Sequence, residues 1–138
     1  MKVMQLILAS FLTILISSCG NSAQGQKEQE EQIAVNVNAE ELHGLIAERG
    51  GQILDVRTEG ELASGMLPGA IHMDFYSNSF AQELEKLDRS KPVFVYCAAG
   101  GRSGKAMGMM KSMDFKEVYN LSGGFPAWQS AGYDIQNK

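Results

Sequence analysis

The run Cys97-Ala98-Ala99-Gly100-Gly101-Arg102-Ser103 brings together a thiol, a glycine pair and a guanidinium. It follows Val93-Phe94-Val95-Tyr96, the most strand-like stretch of the chain, and precedes a helical pattern. In open α/β sheets, ligand sites form beyond the carboxyl ends of strands. A loop entering a helix there turns backbone N–H groups inward, and the helix dipole adds positive potential. A cysteine held in such a place has a depressed pKa and a more reactive thiolate. Gly100 and Gly101 permit a tight cradle, and Arg102 adds a permanent positive charge. Cys97 therefore reads as a nucleophile with its anion cradle. The alternative is a packed structural cysteine, because free cysteine is among the most buried residue types.

Four residues separate Cys97 from Arg102. Cysteine phosphatases and some arsenate reductases place five in the equivalent loop, giving room for a tetrahedral oxyanion. The smaller cradle suits a single sulfur atom. A non-catalytic binding module is the other competing reading, since fold alone does not fix function. The segment from Ala99 to Ala106 lacks the first glycine and final Ser/Thr of a phosphate-binding loop, which argues against nucleotides. Met107, Met109, Met110 and Met113 fall at helical spacing, so core packing is the expected use rather than soft-metal binding. His43, His72 and Trp128 read as structural, and no metal site is expected.

These residues need elements to position them, and strands alternate with helices from residue 33 onward. Strands are expected at Ala34 to Val37, Gln52 to Val56, Ala70 to Met73, Val93 to Tyr96 and Glu117 to Asn120. Asn38 is an N-cap for a helix that Gly50-Gly51 ends, and Thr58-x-x-Glu61 has capping-box spacing for a short helix ended by Gly65. Phe80, Leu84 and Leu87 lie at i, i+4, i+7 of another. Further helices are expected at Ser103 to Met113 and after Gly123-Gly124, with Pro126 in the first turn of the second. Val93 to Tyr96 lacks polar alternation, as a strand covered on both faces should. The fold class is α/β, with a central parallel five-stranded sheet flanked by helices on both faces.

The chain has 138 residues, enough for one domain at the usual ~100–200 residues. Apolar residues make up 44%, too many for a disordered chain. Twelve basic against sixteen acidic side chains, with no basic run, disfavour nucleic acid as a partner. Two cysteines cannot build a disulfide framework. Residues 1–18 match a secretory signal: a positive start, an apolar stretch shorter than the ~20 residues of a membrane span, and small residues at the cut. Ile16-Ser17-Ser18-Cys19-Gly20 resembles a bacterial lipobox, so Cys19 is the expected lipidation site and the membrane an expected partner. Residues 19–32 would then form a polar tether, leaving residues 33–138 as an exported, membrane-anchored domain facing the periplasm or cell exterior.

Three motifs in order carry a family resemblance. Ile53-Leu54-Asp55-Val56-Arg57 followed by Gly65-Met66-Leu67-Pro68-Gly69-Ala70-Ile71, then Val95 to Ser103, then Leu121-Ser122-Gly123-Gly124-Phe125-Pro126-Ala127-Trp128, are similar to the signatures of single-domain rhodaneses. The resemblance covers about Val35 to Gly132. It implies a sulfurtransferase in which Cys97 accepts sulfane sulfur as a persulfide and passes it to a nucleophile. Small sulfur-containing anions and thiol acceptors would be the partners, and neither an organic cofactor nor a metal is required. It also implies that Ala98, Ala99, Gly100, Gly101 and Ser103 surround the sulfur and that Arg102 stabilises charge. Asp55 and Arg57 would shape the site, with Glu61 pairing to Arg57. Met66 and Leu62 depart from the histidine and aromatic frequent in the family, which bears on substrate preference.

Overall fold

The computed structural model describes residues 31–138. The expected signal at 1–18 and the Cys19 lipidation site lie outside the described residues. Five strands form the sheet: β1 (Ile33–Val37), β2 (Gln52–Asp55), β3 (Ile71–His72), β4 (Val93–Tyr96) and β5 (Glu117–Leu121). They pair in the order β1-β5-β4-β2-β3, and every pairing is parallel. The helices are α1 (Ala39–Arg49), α2 (Phe80–Leu84), α3 (Gly101–Ser112) and α4 (Gly124–Ser130), with a 3₁₀ helix at Glu59–Ser64.

The period of two along β4 divides the core. Val93 and Val95 join Leu54, Val56, Phe80, Leu84, Ala106 and Met110 on the face covered by α2 and α3. Phe94 and Tyr96 join Leu42, Tyr119, Leu121, Phe125 and Trp128 on the face covered by α1 and α4. All four β4 residues are buried, as the unbroken apolar run requires of a central strand. Met107, Met109 and Met113 pack beside Met110 on the first face.

Local signals set the boundaries. The Asn38 side chain accepts the Glu41 N–H while the Glu41 carboxylate accepts the Asn38 N–H, each at 2.9 Å, closing a capping box at the start of α1. Gly50, at φ +62°, ends that helix. A second capping box joins Thr58 and Glu61, but the six residues it opens wind as 3₁₀. The α2 pattern is shorter than its spacing indicates. Phe80, Leu84 and Leu87 are all buried, yet beyond Leu84 the amides of Lys86 and Leu87 turn to i−3 carbonyls and the helix closes.

Gln32, placed by sequence at the end of a tether, belongs to the folded unit. Its side-chain amide donates to the carbonyls of Lys111 and Phe115, both at 2.8 Å, and so closes the end of α3. The chain after Gly132 is also tied down: Met66 and Gln136 exchange both backbone hydrogen bonds, and Tyr133 stacks on His43 at 4.0 Å.

Candidate active site

Cys97 sits one residue beyond β4, where the strand ends and the loop to α3 begins. Its side chain is buried, and it is the one free cysteine among the described residues. The Gly100 N–H donates to Sγ at 3.0 Å and the Ser103 hydroxyl donates at 3.3 Å. Burial alone would push the thiol pKa up. The Ser103 hydroxyl and the backbone N–H groups of Ser103, Ala99 and Gly100 outweigh burial and hold it below the ordinary value. The cradle is therefore built for a thiolate.

Two glycines allow the loop to close. Gly100 adopts φ +97°, the left-handed turn that aims its N–H back at sulfur. Gly124, at φ +64°, opens α4 directly against the loop. A Cβ there would lie 2.5 Å from the Cys97 carbonyl oxygen and 2.5 Å from the Ala98 carbonyl carbon. The next residue, Phe125, donates its N–H to the Cys97 carbonyl at 2.8 Å. The glycine pair at 123–124 reads in the sequence only as a helix entry; its function as a seat for the Cys97 loop emerges from packing.

A third support was not legible beforehand. Asn120 on β5 is buried, and its amide nitrogen donates to the Gly100 carbonyl at 3.3 Å and to Asn36 Oδ1 at 2.8 Å. It ties the residue that holds Sγ to the edge strand. Only the polar residue inside an apolar β5 run could have signalled it.

Asp55 and Arg57 lie beneath this assembly. Both are buried and form an ion pair at 2.6 Å. Arg57 also donates to the carbonyls of Gly65 at 2.6 Å and Glu61 at 3.2 Å, and its guanidinium lies 4.1 Å from the Phe125 ring centre. Burial lowers its pKa, but the bonds to Asp55 reverse that and raise it. Tyr96 completes the cluster by donating to Asp55 at 2.6 Å and accepting the Leu67 N–H at 3.1 Å.

The expected pairing of the Glu61 carboxylate with Arg57 is corrected. Glu61 Oε1 and Oε2 instead accept Arg102 Nη2 and Nη1, each at 2.7 Å. The cause is local. The capping box holds Glu61 Oε2 at 2.8 Å from the Thr58 N–H, while Asp55 already occupies Arg57. The Arg102 guanidinium holds the Glu61 carboxyl at about 2, well below the carboxylate range. Arg102 in turn is raised by that carboxylate and lies over the Tyr76 ring at 5.6 Å. It borders the site as half of a neutral pair rather than as a free cation.

Leu62 and Met66, the departures from the family pattern, are both buried in the core. His72 donates from Nε2 to the Arg57 carbonyl at 2.8 Å, His43 packs on Tyr133, and the buried Trp128 donates to the Asp134 carbonyl. None of the three reaches the Cys97 cradle through these contacts.

The family model for the rhodanese-like domain matches residues 38–131. The chain belongs to the rhodanese-like domain family. Among its relatives, the thiosulfate sulfurtransferase GlpE of Pseudomonas savastanoi pv. phaseolicola is 32% identical over 85 residues, which span 62% of this chain and 78% of the relative. A sulfurtransferase of Allochromatium vinosum is 29% identical over 100 residues, covering 72% of this chain and 92% of that one. The crystal structure of a rhodanese-related protein from Thermoplasma volcanium superposes with a TM-score of 0.66 at 27% identity, covering 75% of this chain and 98% of the other. The five-stranded parallel sheet with helices is the architecture of these rhodanese neighbours.

Proposed function

We propose that this rhodanese-like domain is a sulfurtransferase that moves sulfane sulfur from thiosulfate or a persulfide to a thiol or cyanide acceptor through a persulfide on Cys97. The observation that carries this reading is the buried Cys97 thiol with the Gly100 N–H and Ser103 hydroxyl directed at its sulfur. The Cys97 thiolate attacks the outer sulfur of the donor. A bond forms between Sγ and that sulfur, the donor's S–S bond breaks, and its electron pair leaves with sulfite when thiosulfate is the donor. The loop N–H groups of Ala99, Gly100 and Ser103, which favour the thiolate, are placed to stabilise the persulfide anion in the same way. An acceptor nucleophile then takes the outer sulfur and restores the thiolate, so the kinetics are ping-pong.

Intact mass spectrometry after adding thiosulfate tests this. A gain of one sulfur atom that is discharged by cyanide and absent in Cys97→Ser is the expected result. No gain with thiosulfate or with an organic persulfide overturns the reading. We also propose that the domain is exported and held at a membrane through lipid on Cys19, on the strength of Ile16-Ser17-Ser18-Cys19. Cys19→Ala then yields unprocessed or soluble protein; a wild type found wholly in the soluble fraction refutes the anchor.

A further inference from the structure

The two guanidinium groups at the site are each paired with a carboxylate. Arg57 is paired with Asp55, and Arg102 spends both terminal nitrogens on Glu61. Glu61 is further fixed by the Thr58 N–H and hydroxyl, each at 2.8 Å. Lys105 lines a different groove, beside Gly100 and Gly101 rather than beside Glu61. With the thiolate formed, the approach past Glu61 and Arg102 carries net negative charge. A dianion meets that charge twice over, whereas a singly charged or neutral donor does not.

Beside the loop is a cavity of about 370 Å³ between the 3₁₀ helix and the start of α4. Ala63, Ala98, Phe125 and Pro126 give it a carbon-rich wall, and Glu61, Gln129 and the Asp55-paired Arg57 are among its polar groups. This is the size and character of a site for a small organic molecule, since such pockets run from about 300 Å³ upward and are mostly apolar with few polar groups. An inorganic dianion uses neither its volume nor its carbon surface.

We infer that the donor is an organic sulfur carrier of at most one negative charge, with its organic body in this cavity, and that Glu61 sets the preference by neutralising Arg102. The inference rests on the sulfurtransferase reading and narrows its donor. With a protonated organic persulfide, the Cys97 thiolate attacks the terminal sulfur. The new Sγ–S bond forms as the carrier's S–S bond breaks. The carrier leaves as its thiolate with the electron pair, and the proton stays on the transferred sulfur. With an organic thiosulfonate the same step releases a sulfinate.

The test compares thiosulfate, methanethiosulfonate and benzenethiosulfonate as donors to the full chain, with cyanide as acceptor. The first two differ in charge and the last two in organic bulk. Glu61→Gln, which keeps the side chain's shape, raises kcat/KM for thiosulfate about tenfold relative to methanethiosulfonate, the effect of one unit charge close to the site. Ala63→Trp fills the cavity and lowers kcat/KM for benzenethiosulfonate about tenfold relative to methanethiosulfonate, the scale of a few lost methylene contacts. In the wild type, added salt raises kcat/KM for thiosulfate relative to methanethiosulfonate, because screening relieves repulsion. The salt series keeps the charge argument testable without any variant. A ratio that falls with salt, or that Glu61→Gln leaves unchanged or lowers, overturns the role of Glu61. Equal effects of Ala63→Trp on both thiosulfonates overturn the cavity. Failure of all three donors to load sulfur on wild-type Cys97 removes the sulfurtransferase reading itself.

Discussion

Replacing Gly124 by alanine tests whether the first residue of α4 is the seat of the Cys97 loop. The new Cβ would stand 2.5 Å from the Cys97 carbonyl oxygen, 2.5 Å from the Ala98 carbonyl carbon and 2.6 Å from the Ala98 oxygen, all main-chain atoms that cannot rotate away. The left-handed φ of +64° costs an L-residue about 1–2 kcal/mol. Relieving the overlap moves backbone, at about 1–3 kcal/mol, and stretches the Phe125-to-Cys97 hydrogen bond, worth about 0.5–1.5 kcal/mol. The expected loss is thus about 2.5–6.5 kcal/mol, a large share of the ~5–15 kcal/mol that holds a domain folded.

Gly108→Ala is the matched control. That glycine lies within α3, and a Cβ there meets nothing within 4 Å. Alanine there should stabilise by about 0.5–1 kcal/mol through helix propensity. Urea denaturation of both variants, with cyanide-discharged sulfur loading measured on the same samples, gives the comparison. A Gly124→Ala protein within about 1 kcal/mol of wild type, at full loading, refutes the close-approach argument.

Three further outcomes follow from the same geometry. Ser103→Ala removes the side-chain donor to Sγ, so the thiol pKa rises and the acid limb of kcat/KM with thiosulfate moves to higher pH; an unmoved limb shows that the backbone donors suffice. Tyr96→Phe leaves the buried Leu67 N–H without its acceptor and Asp55 with one donor fewer, lowering stability by about 1–3 kcal/mol in urea melts, and a neutral result refutes the buried network. Glu61 is depressed from 4.5 to about 2 on folding, so its ionised form favours the native state above pH 4.5; the wild type's stability advantage over Glu61→Gln is full there and fades as pH falls toward about 2, and an advantage that instead grows on acidification contradicts the pair.

What the sequence made legible was whatever the local chain decides. Asn38 with Glu41, Thr58 with Glu61, and the glycines at 50 and 65 each act within a few residues, and the boundaries they imply hold to a residue or so. The fully apolar Val93 to Tyr96 run left no alternative to a strand covered on both faces. The family motifs put Cys97, Gly100 and Ser103 in one stretch, and in the structure the Gly100 N–H and the Ser103 hydroxyl are directed at the Cys97 Sγ. The boundary at Gln32 failed for a complementary reason. A glutamine in a polar run carries no local mark of the two carbonyls it meets 79 and 83 residues away.

The same distinction explains why the ion pairs at the site were harder to assign than its nucleophile. Asp55 lies two residues from Arg57 and Glu61 four, so both are candidate partners by spacing, and nothing in the chain order ranks them. The ranking comes from geometry. Asp55 ends a buried strand and faces the Arg57 guanidinium directly, whereas the Thr58 capping box turns Glu61 back on its own backbone and toward a residue 41 positions later. A short-range motif thus decided a long-range contact. The consequence is chemical: Arg102, which by its position after the glycines reads as a free cation for an anionic donor, enters the site already neutralised. The donor preference proposed above rests on that pairing of Arg102 with Glu61.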